Sequence, residues 1–198
     1  MISLRTQRPL LAVAALLLAV GCSNDNPKLG IPGGNLPDPG DIGAGSSGLR
    51  QQARLDGQFI GALRLEGEWV PGGPGRPVTL TFVAEGLAGT KQFEFVVEPT
   101  PAGAFDLEGA SFSTVSPFIT LPGGARQEGE GRLRLGGASL ATPVNGTHTL
   151  GTLTLVTSSS YSASDRARIR LVLVSVGPTS AQRDIYEGDA LSLGVEVR

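Results

Sequence analysis

The sequence predicts an all-β protein: an antiparallel sandwich of about nine strands, preceded by a signal segment and a flexible linker. Three observations carry this. Short runs of alternating apolar and polar residues recur from about Gln51 onward, and Gly, Pro and Asn separate them at turn spacing. No window sustains the 3.6-residue apolar period of an amphipathic helix.

The first segment in order is 1–21. Arg5, Arg8 and the free amine precede an unbroken apolar run, Leu10 to Val20, made only of Leu, Ala and Val. A positive flank, a short apolar core and small residues at a boundary form a secretory signal. The run's 11 residues fall short of the ~20 needed to cross a bilayer's hydrocarbon. It ends Ala19-Val20-Gly21-Cys22, and Cys22 is the chain's single cysteine. This junction resembles a bacterial lipobox, with Ala19 where Leu is usual. The resemblance implies that Cys22 is acylated and becomes the mature N-terminus. Ala19-Val20-Gly21 also suits ordinary signal peptidase, which would leave Cys22 a free thiol. At about 0.8 kcal/mol per buried methylene, two or three acyl chains hold a protein that one chain would not. In such signals an Asp after the cysteine retains the protein at the inner membrane. Ser23 stands there instead, which implies the outer membrane of a bacterial cell envelope. With one cysteine no intrachain disulfide is possible, so the core alone holds the fold.

Residues 22–50 read as a lipid-anchored linker. From Ser23 to Arg50 there are seven glycines and four prolines in 28 residues. Such a composition buries too little apolar surface to offset its ordering entropy. The stretch "GAGSSG", Gly43 to Gly48, matches G-x-G-x-x-G spacing, but "LPDPGDI" before it holds two prolines and is no buried strand. A dinucleotide motif needs a strand running into it and a helix opening from it, so this is linker composition. Without residues 1–21 the chain keeps 14 basic against 18 acidic residues, a formal charge of −4. It carries no basic block, so nucleic acid is excluded as a partner.

Residues 51–198 form one domain, long enough to bury a single core. "VTLTFVA" (78–84) sets Val78, Leu80, Phe82 and Ala84 on one face; "KQFEFVV" (91–97) does the same with Phe93, Phe95 and Val97. "FDLEG", "GRLRLGG", "GTLTLVT" and "LSLGVEV" repeat the pattern, and Asn145-Gly146 favours a tight turn. In "RARIRLVLVSV" (166–176), Ala167, Ile169, Leu171 and Leu173 alternate against Arg168, Arg170, Val172 and Val174.

The stretch "PVTLTFVAEGLAGTKQFEFVVEPTPAGAFDLEGASFS" resembles the opening of a cohesin domain. There a strand passes through a "glag"-type connection into a second strand with alternating Phe, and then into Phe-Asp-hydrophobic. "LGTLTLVTSSSYSASDRARIRLVLVSVG" is similar to the cohesin order of strand, polar loop and long strand. A variable loop, "PTSAQRDIYEGDA", and a closing strand, "LSLGVEVR", follow. The resemblance covers roughly residues 76–198. It implies a jelly-roll sandwich, of a superfamily shared with carbohydrate-binding modules, that binds dockerins or serves as an adhesive surface domain. Val97-Glu98-Pro99 stands where the family often shows Tyr-Asp-Pro, so no binding residue is carried over. Residues 51–75, with "GQFIGALRLEGEWV", lie outside the resemblance and read as an added hairpin or edge strand.

Catalytic chemistry has little to draw on. His148 is the one histidine, it lies in "NGTHTLGTL" between a turn and a strand, and no G-x-S-x-G elbow accompanies it. Glu66 with Glu68, and Glu128 with Glu130, are i, i+2 pairs expected on solvent-facing strand positions. One histidine and one cysteine cannot build a transition-metal site. Asp184, Glu187 and Asp189 are oxygen donors for a calcium candidate, though not at EF-hand spacing. No cofactor is implied. Sugar binding by a sandwich uses exposed rings, for which Trp69, Tyr161 and Tyr186 are the available contacts, Tyr161 first among them. The sequence thus points to a non-enzymatic lipoprotein that displays a protein-binding module toward an envelope partner. The alternatives are a carbohydrate-binding module contacting polysaccharide, and a structural subunit of an envelope complex.

Overall fold

The computed structural model describes residues 47–70, 72–162, 164, 166–188 and 191–197. Cys22 and the linker up to residue 46 lie outside the described residues. Among the described residues eleven strands form: β1 (Ser47–Arg54), β2 (Ala62–Trp69), β3 (Pro77–Thr90), β4 (Gln92–Thr100), β5 (Phe105–Thr114) and β6 (Ile119–Gln127). They continue with β7 (Leu133–Ala138), β8 (Val144–Thr157), β9 (Ala167–Gly177), β10 (Asp184–Glu187) and β11 (Gly194–Val197). One sheet has the order β1-β2-β3-β8-β5 and the other β10-β9-β4-β7-β6, with β11 also on β9. Every pairing is antiparallel. Among the described residues no helix is long and apolar enough to cross a membrane.

The alternating residues named above make the core because period-2 patterning sends them all to one side of each sheet. Val78, Leu80, Phe82 and Ala84 of β3 are buried, as are Phe93, Phe95 and Val97 of β4. Phe82 and Phe95 stack across the sandwich with ring centroids 4.9 Å apart, and Phe93 lies 5.1 Å from both Phe95 and Phe118. Phe112 meets Phe82 and Phe93 edge-on. Each such ring contributes about 1.5–3 kcal/mol by burial, and each pair about 0.5–1.5 kcal/mol more.

The structure departs from the sequence expectation in several places. Among the described residues there are eleven strands, not about nine, because four-residue β10 and the irregular β6 join the count. β6 holds Pro122-Gly123-Gly124. As an edge strand it tolerates them by throwing out Leu121–Gly124 opposite Gly136 alone, between the pairs Thr120↔Gly137 and Ala125↔Leu135. The first strand starts at Ser47, so the last four residues assigned to the linker pair with β2, and the predicted hairpin is β1–β2 at the sheet edge. Asn145-Gly146 makes no hairpin turn. It lies within β8 at an irregularity facing β3, where Gly146 takes φ 78° and Asn145 Oδ1 accepts from the Gly89 N–H at 2.7 Å.

β9 also breaks the expected alternation. Val96 pairs with Leu173 but Val97 with Leu171, so Val172 is an extra residue in a β-bulge. Beyond it the faces exchange: Val174 and Val176 are fully buried, and Leu173, expected beside Leu171, turns to the outer face.

Candidate functional site

The two outer faces of the sandwich differ in chemistry. On the first sheet, register places Thr79, Thr81, Thr152, Thr154, Ser111 and Ser113 outward in a polar field. Beside them Arg64 bonds Glu66 at 2.8 Å and also Glu85. The second sheet presents apolar and charged residues together. Val96 and Leu173 sit side by side, and Ile119, Leu121 and Ile185 are among the exposed large hydrophobics. Leu121 leans from the β6 excursion onto Gly136, where any Cβ would meet its Cδ1 at 2.8 Å.

Arg134 of β7 organises the centre of this face. Its Nη1 donates to Glu94 Oε1 at 2.6 Å and its Nε to Glu128 Oε2 at 3.0 Å, with a second bond from Nη2 to Glu128. The bond to Arg134 holds the Glu128 carboxyl below its ordinary range, and Glu128 in turn raises the Arg134 guanidinium. Glu98 receives Arg132 at 2.7 Å from one side and Arg170 at 3.3 Å from the other. Two grooves meet at Arg134 and Glu128. One of about 630 Å³ is lined by Glu94, Leu121, Arg126 and Gly136. The other, about 560 Å³, is lined by Val96, Arg132, Arg170, Leu173 and Glu187. Guanidinium forks, carboxylates and apolar side chains at one level suit recognition of a protein surface.

The residues singled out from sequence fall elsewhere. Tyr161 is not an exposed contact: it is 5 % exposed, its ring lies 6.4 Å from Phe105, and its hydroxyl donates to the Val197 carbonyl at 3.3 Å. Trp69 is 6 % exposed and belongs to the core. Tyr186 is half-buried, and burial, followed by Asp184 and Asp56, raises its hydroxyl above the ordinary range. The structure therefore assembles no ring platform from these three.

The calcium candidate is not gathered either. Asp184 and Glu187 stand three residues apart on β10 and face opposite sides of the sheet. Asp184 Oδ2 accepts from the Phe59 N–H at 2.6 Å, and Asp189 lies outside the described residues. Among the described residues no group of three or more His, Cys, Asp or Glu could hold a metal. His148 lies within β8, not at its end. Its ring meets Phe118 at 5.7 Å, and its enclosed Nε2 has no hydrogen-bond partner. Glu66 is tied to Arg50 and Arg64. Glu128 and Glu130 lie in the β6–β7 turn and not on a strand as expected. The residues that sequence reasoning missed are Glu94, Val96, Arg134 and Leu173. The Arg-Leu-Arg-Leu run at 132–135 was their one visible signal.

The fold defines the class: a two-sheet antiparallel β-sandwich. No family model and no curated protein sequence matches the chain. Solved cohesin modules are similar to it. A cohesin module from a family 33 glycoside hydrolase of Clostridium perfringens aligns with TM-score 0.47 and 18 % identity, over 78 % of this chain and 96 % of that one. The sixth cohesin of Acetivibrio cellulolyticus scaffoldin B, in complex with a Cel5 dockerin, aligns with TM-score 0.40 and 20 % identity, over 55 % and 80 %. For the seventh ScaB type I cohesin of Pseudobacteroides cellulosolvens the values are 0.37 and 8 %, over 58 % and 77 %.

Proposed function

We propose that this chain is a non-enzymatic lipoprotein of the bacterial cell envelope, anchored through acylated Cys22, whose cohesin-like sandwich binds a protein partner through the outer face of the β10-β9-β4-β7-β6 sheet. One observation carries the choice of face. Exposed Ile119, Leu121 and Ile185, with half-buried Leu173, surround the Arg134 web there, while the opposite face is a Ser/Thr field. Protein interfaces favour apolar anchors and Arg over Ser. The polysaccharide reading loses its support because the rings of Trp69 and Tyr161 are in the core.

The test is photo-crosslinking of the anchored protein in intact cells. A crosslinker at Leu173 is expected to capture an envelope protein that one at Thr152 does not. Equal capture from both faces, or none, refutes the chosen face. Anchoring is tested separately by the mass of the mature N-terminal peptide, which must carry acyl chains on Cys22.

A further inference from the structure

The described sheet edges differ in how they resist the addition of another strand. β5 breaks its ladder with β8 between Asp106 and Ser111. β6 throws out Leu121–Gly124 with Pro122, and β10 and β11 are four residues each. Bulges, prolines and shortness are the usual means of blunting an edge. β1 has none of them. Its eight residues run in unbroken register with β2 from Ser47↔Trp69 to Arg54↔Ala62, without a proline. It pairs with no other described strand, and β11 lies over β1 and β2 without continuing their sheet.

The parity of the free edge follows from one bond. The Leu55 N–H donates to the Gly61 carbonyl at 2.8 Å, continuing the β1–β2 ladder. Residues in step with Leu55, namely Ala53, Gln51 and Leu49, therefore exchange bonds with β2. The N–H and C=O groups of Gly48, Arg50, Gln52 and Arg54 point the other way, to the free edge.

We propose that this edge pairs antiparallel with β1 of a second copy of the chain, about a two-fold axis at Gln51, joining two five-stranded sheets into one continuous sheet. The sequence of β1 selects that occupant and that register. With the axis at Gln51, Arg50 faces the second copy's Gln52, Arg54 faces its Gly48, and Leu49 faces its Ala53. A one-residue shift of the axis in either direction sets Arg50 against Arg50 or Arg54 of the second copy, and like charges directly opposite are unfavourable. Arg50 has its own acid, Glu66, at 3.6 Å, and Gln52 is held by Glu85 at 2.9 Å. Leu49, an exposed large hydrophobic, is covered by the pairing. An unrelated extended peptide would have no reason to match this pattern; β1 matches itself.

The full chain is tested by sedimentation with Gln52→Pro against Gln52→Ala. Both lose the side-chain bond to Glu85. Only proline also removes the edge-facing N–H, a position where an edge strand tolerates it. The unaltered chain and Q52A are expected to dimerise, and Q52P to dissociate about tenfold more readily or beyond. Circular dichroism reports whether Q52P keeps the fold. If it does not, the second variant decides: Gln51→Cys in a Cys22→Ser full chain, with Glu68→Cys as control. Residue 51 faces its own copy across a non-hydrogen-bonded pair, close enough to bridge, so mild oxidation should give a covalent dimer from Q51C and not from E68C. A chain that stays monomeric overturns the proposal, as does a folded Q52P that dimerises like Q52A. Edge protection from amide exchange that appears only with another envelope protein also overturns it, and assigns the edge to that protein.

Discussion

Tyr161 gives the sharpest test of the difference between reading this chain and seeing it folded. In "SSSYSAS" it looks like an exposed ring, yet it is 5 % exposed and stands between Phe105 and the end of β11. Truncating a buried ring of this size to alanine costs about 3–5 kcal/mol, by lost transfer energy and the cavity left behind. Tyr161→Phe keeps the ring and removes one donor. The bond to the Val197 carbonyl is long at 3.3 Å, so about 1 kcal/mol or less is at stake. In a domain of this size each kcal/mol moves Tm by about 2–4 °C. Tyr161→Ala should therefore lower Tm by roughly 6–20 °C, and Tyr161→Phe by no more than about 4 °C. Thermal unfolding of the full chain measures both shifts, and urea unfolding the free energies behind them. Trp69 is the single tryptophan and is buried, so its fluorescence reports the core directly. The slope with denaturant should hold constant across the three proteins. If Tyr161→Ala stays within ~0.5 kcal/mol of the unaltered chain, the scatter of ordinary surface changes, the ring is not in the core.

Four further outcomes follow from the same geometry. Arg134→Ala removes only partly exposed ion pairs, so unfolding should move by less than about 1 kcal/mol, while crosslinking from Leu173 to an envelope partner falls several-fold. Gly137→Ala puts a Cβ 2.7 Å from two carbons of the Phe93 ring and 2.8 Å from Thr114 Cγ2; overpacking of this kind costs about 1–3 kcal/mol in a urea titration. The Glu128 carboxyl is lowered below 4.5 in the folded chain. Its contribution is present above pH 4.5 and lost as pH falls through the folded value; Glu128→Gln should flatten that part of the acid unfolding curve, and salt should weaken it. Tyr186 is raised above 10.0 by burial first and by Asp184 and Asp56 next. Its contribution holds below pH 10 and is lost above it; in a Tyr161→Phe chain the ultraviolet phenolate titration should move back toward 10.0 on Asp184→Asn, though not all the way.

Strand faces were legible where chemistry is local. β3 and β4 carry strict alternation, and every residue placed inward in 78–84 and 91–97 is buried. Sequence order says little, however, about which strands become neighbours. Arg134 and Glu128 are close in the chain, but Glu94 reaches the same guanidinium because β4 lies beside β7 in the folded sheet. Trp69 ends β2 and Tyr161 sits in a Ser-rich loop, both places where surface rings are common. The burial of Tyr161 depends on Phe105 and the end of β11, a long-range fact that no window of sequence contains. Pro122 sits in the Leu121–Gly124 excursion of β6, outside the ladder with β7, so the strand carries it without losing a ladder bond.

The bulge at Val172 ties the core to the candidate site. Uninterrupted alternation through β9 would send Leu173 inward and leave Val174 and Val176 on the surface. One inserted residue reverses both assignments. Val174 and Val176 become fully buried against β4, whose Phe95 and Phe93 they face in register. Leu173 emerges beside Val96, next to the arginines of β7 and β9. Stability and surface chemistry are therefore set by the same backbone irregularity: closing the upper half of the core is what places an aliphatic pair on the outer face. Val96 is itself only 4 % exposed and Leu173 is half-buried, so Leu173 is the member of the pair that reaches the surface of this face. Leu173 lines the Arg170 groove, where the proposed partner would cover it.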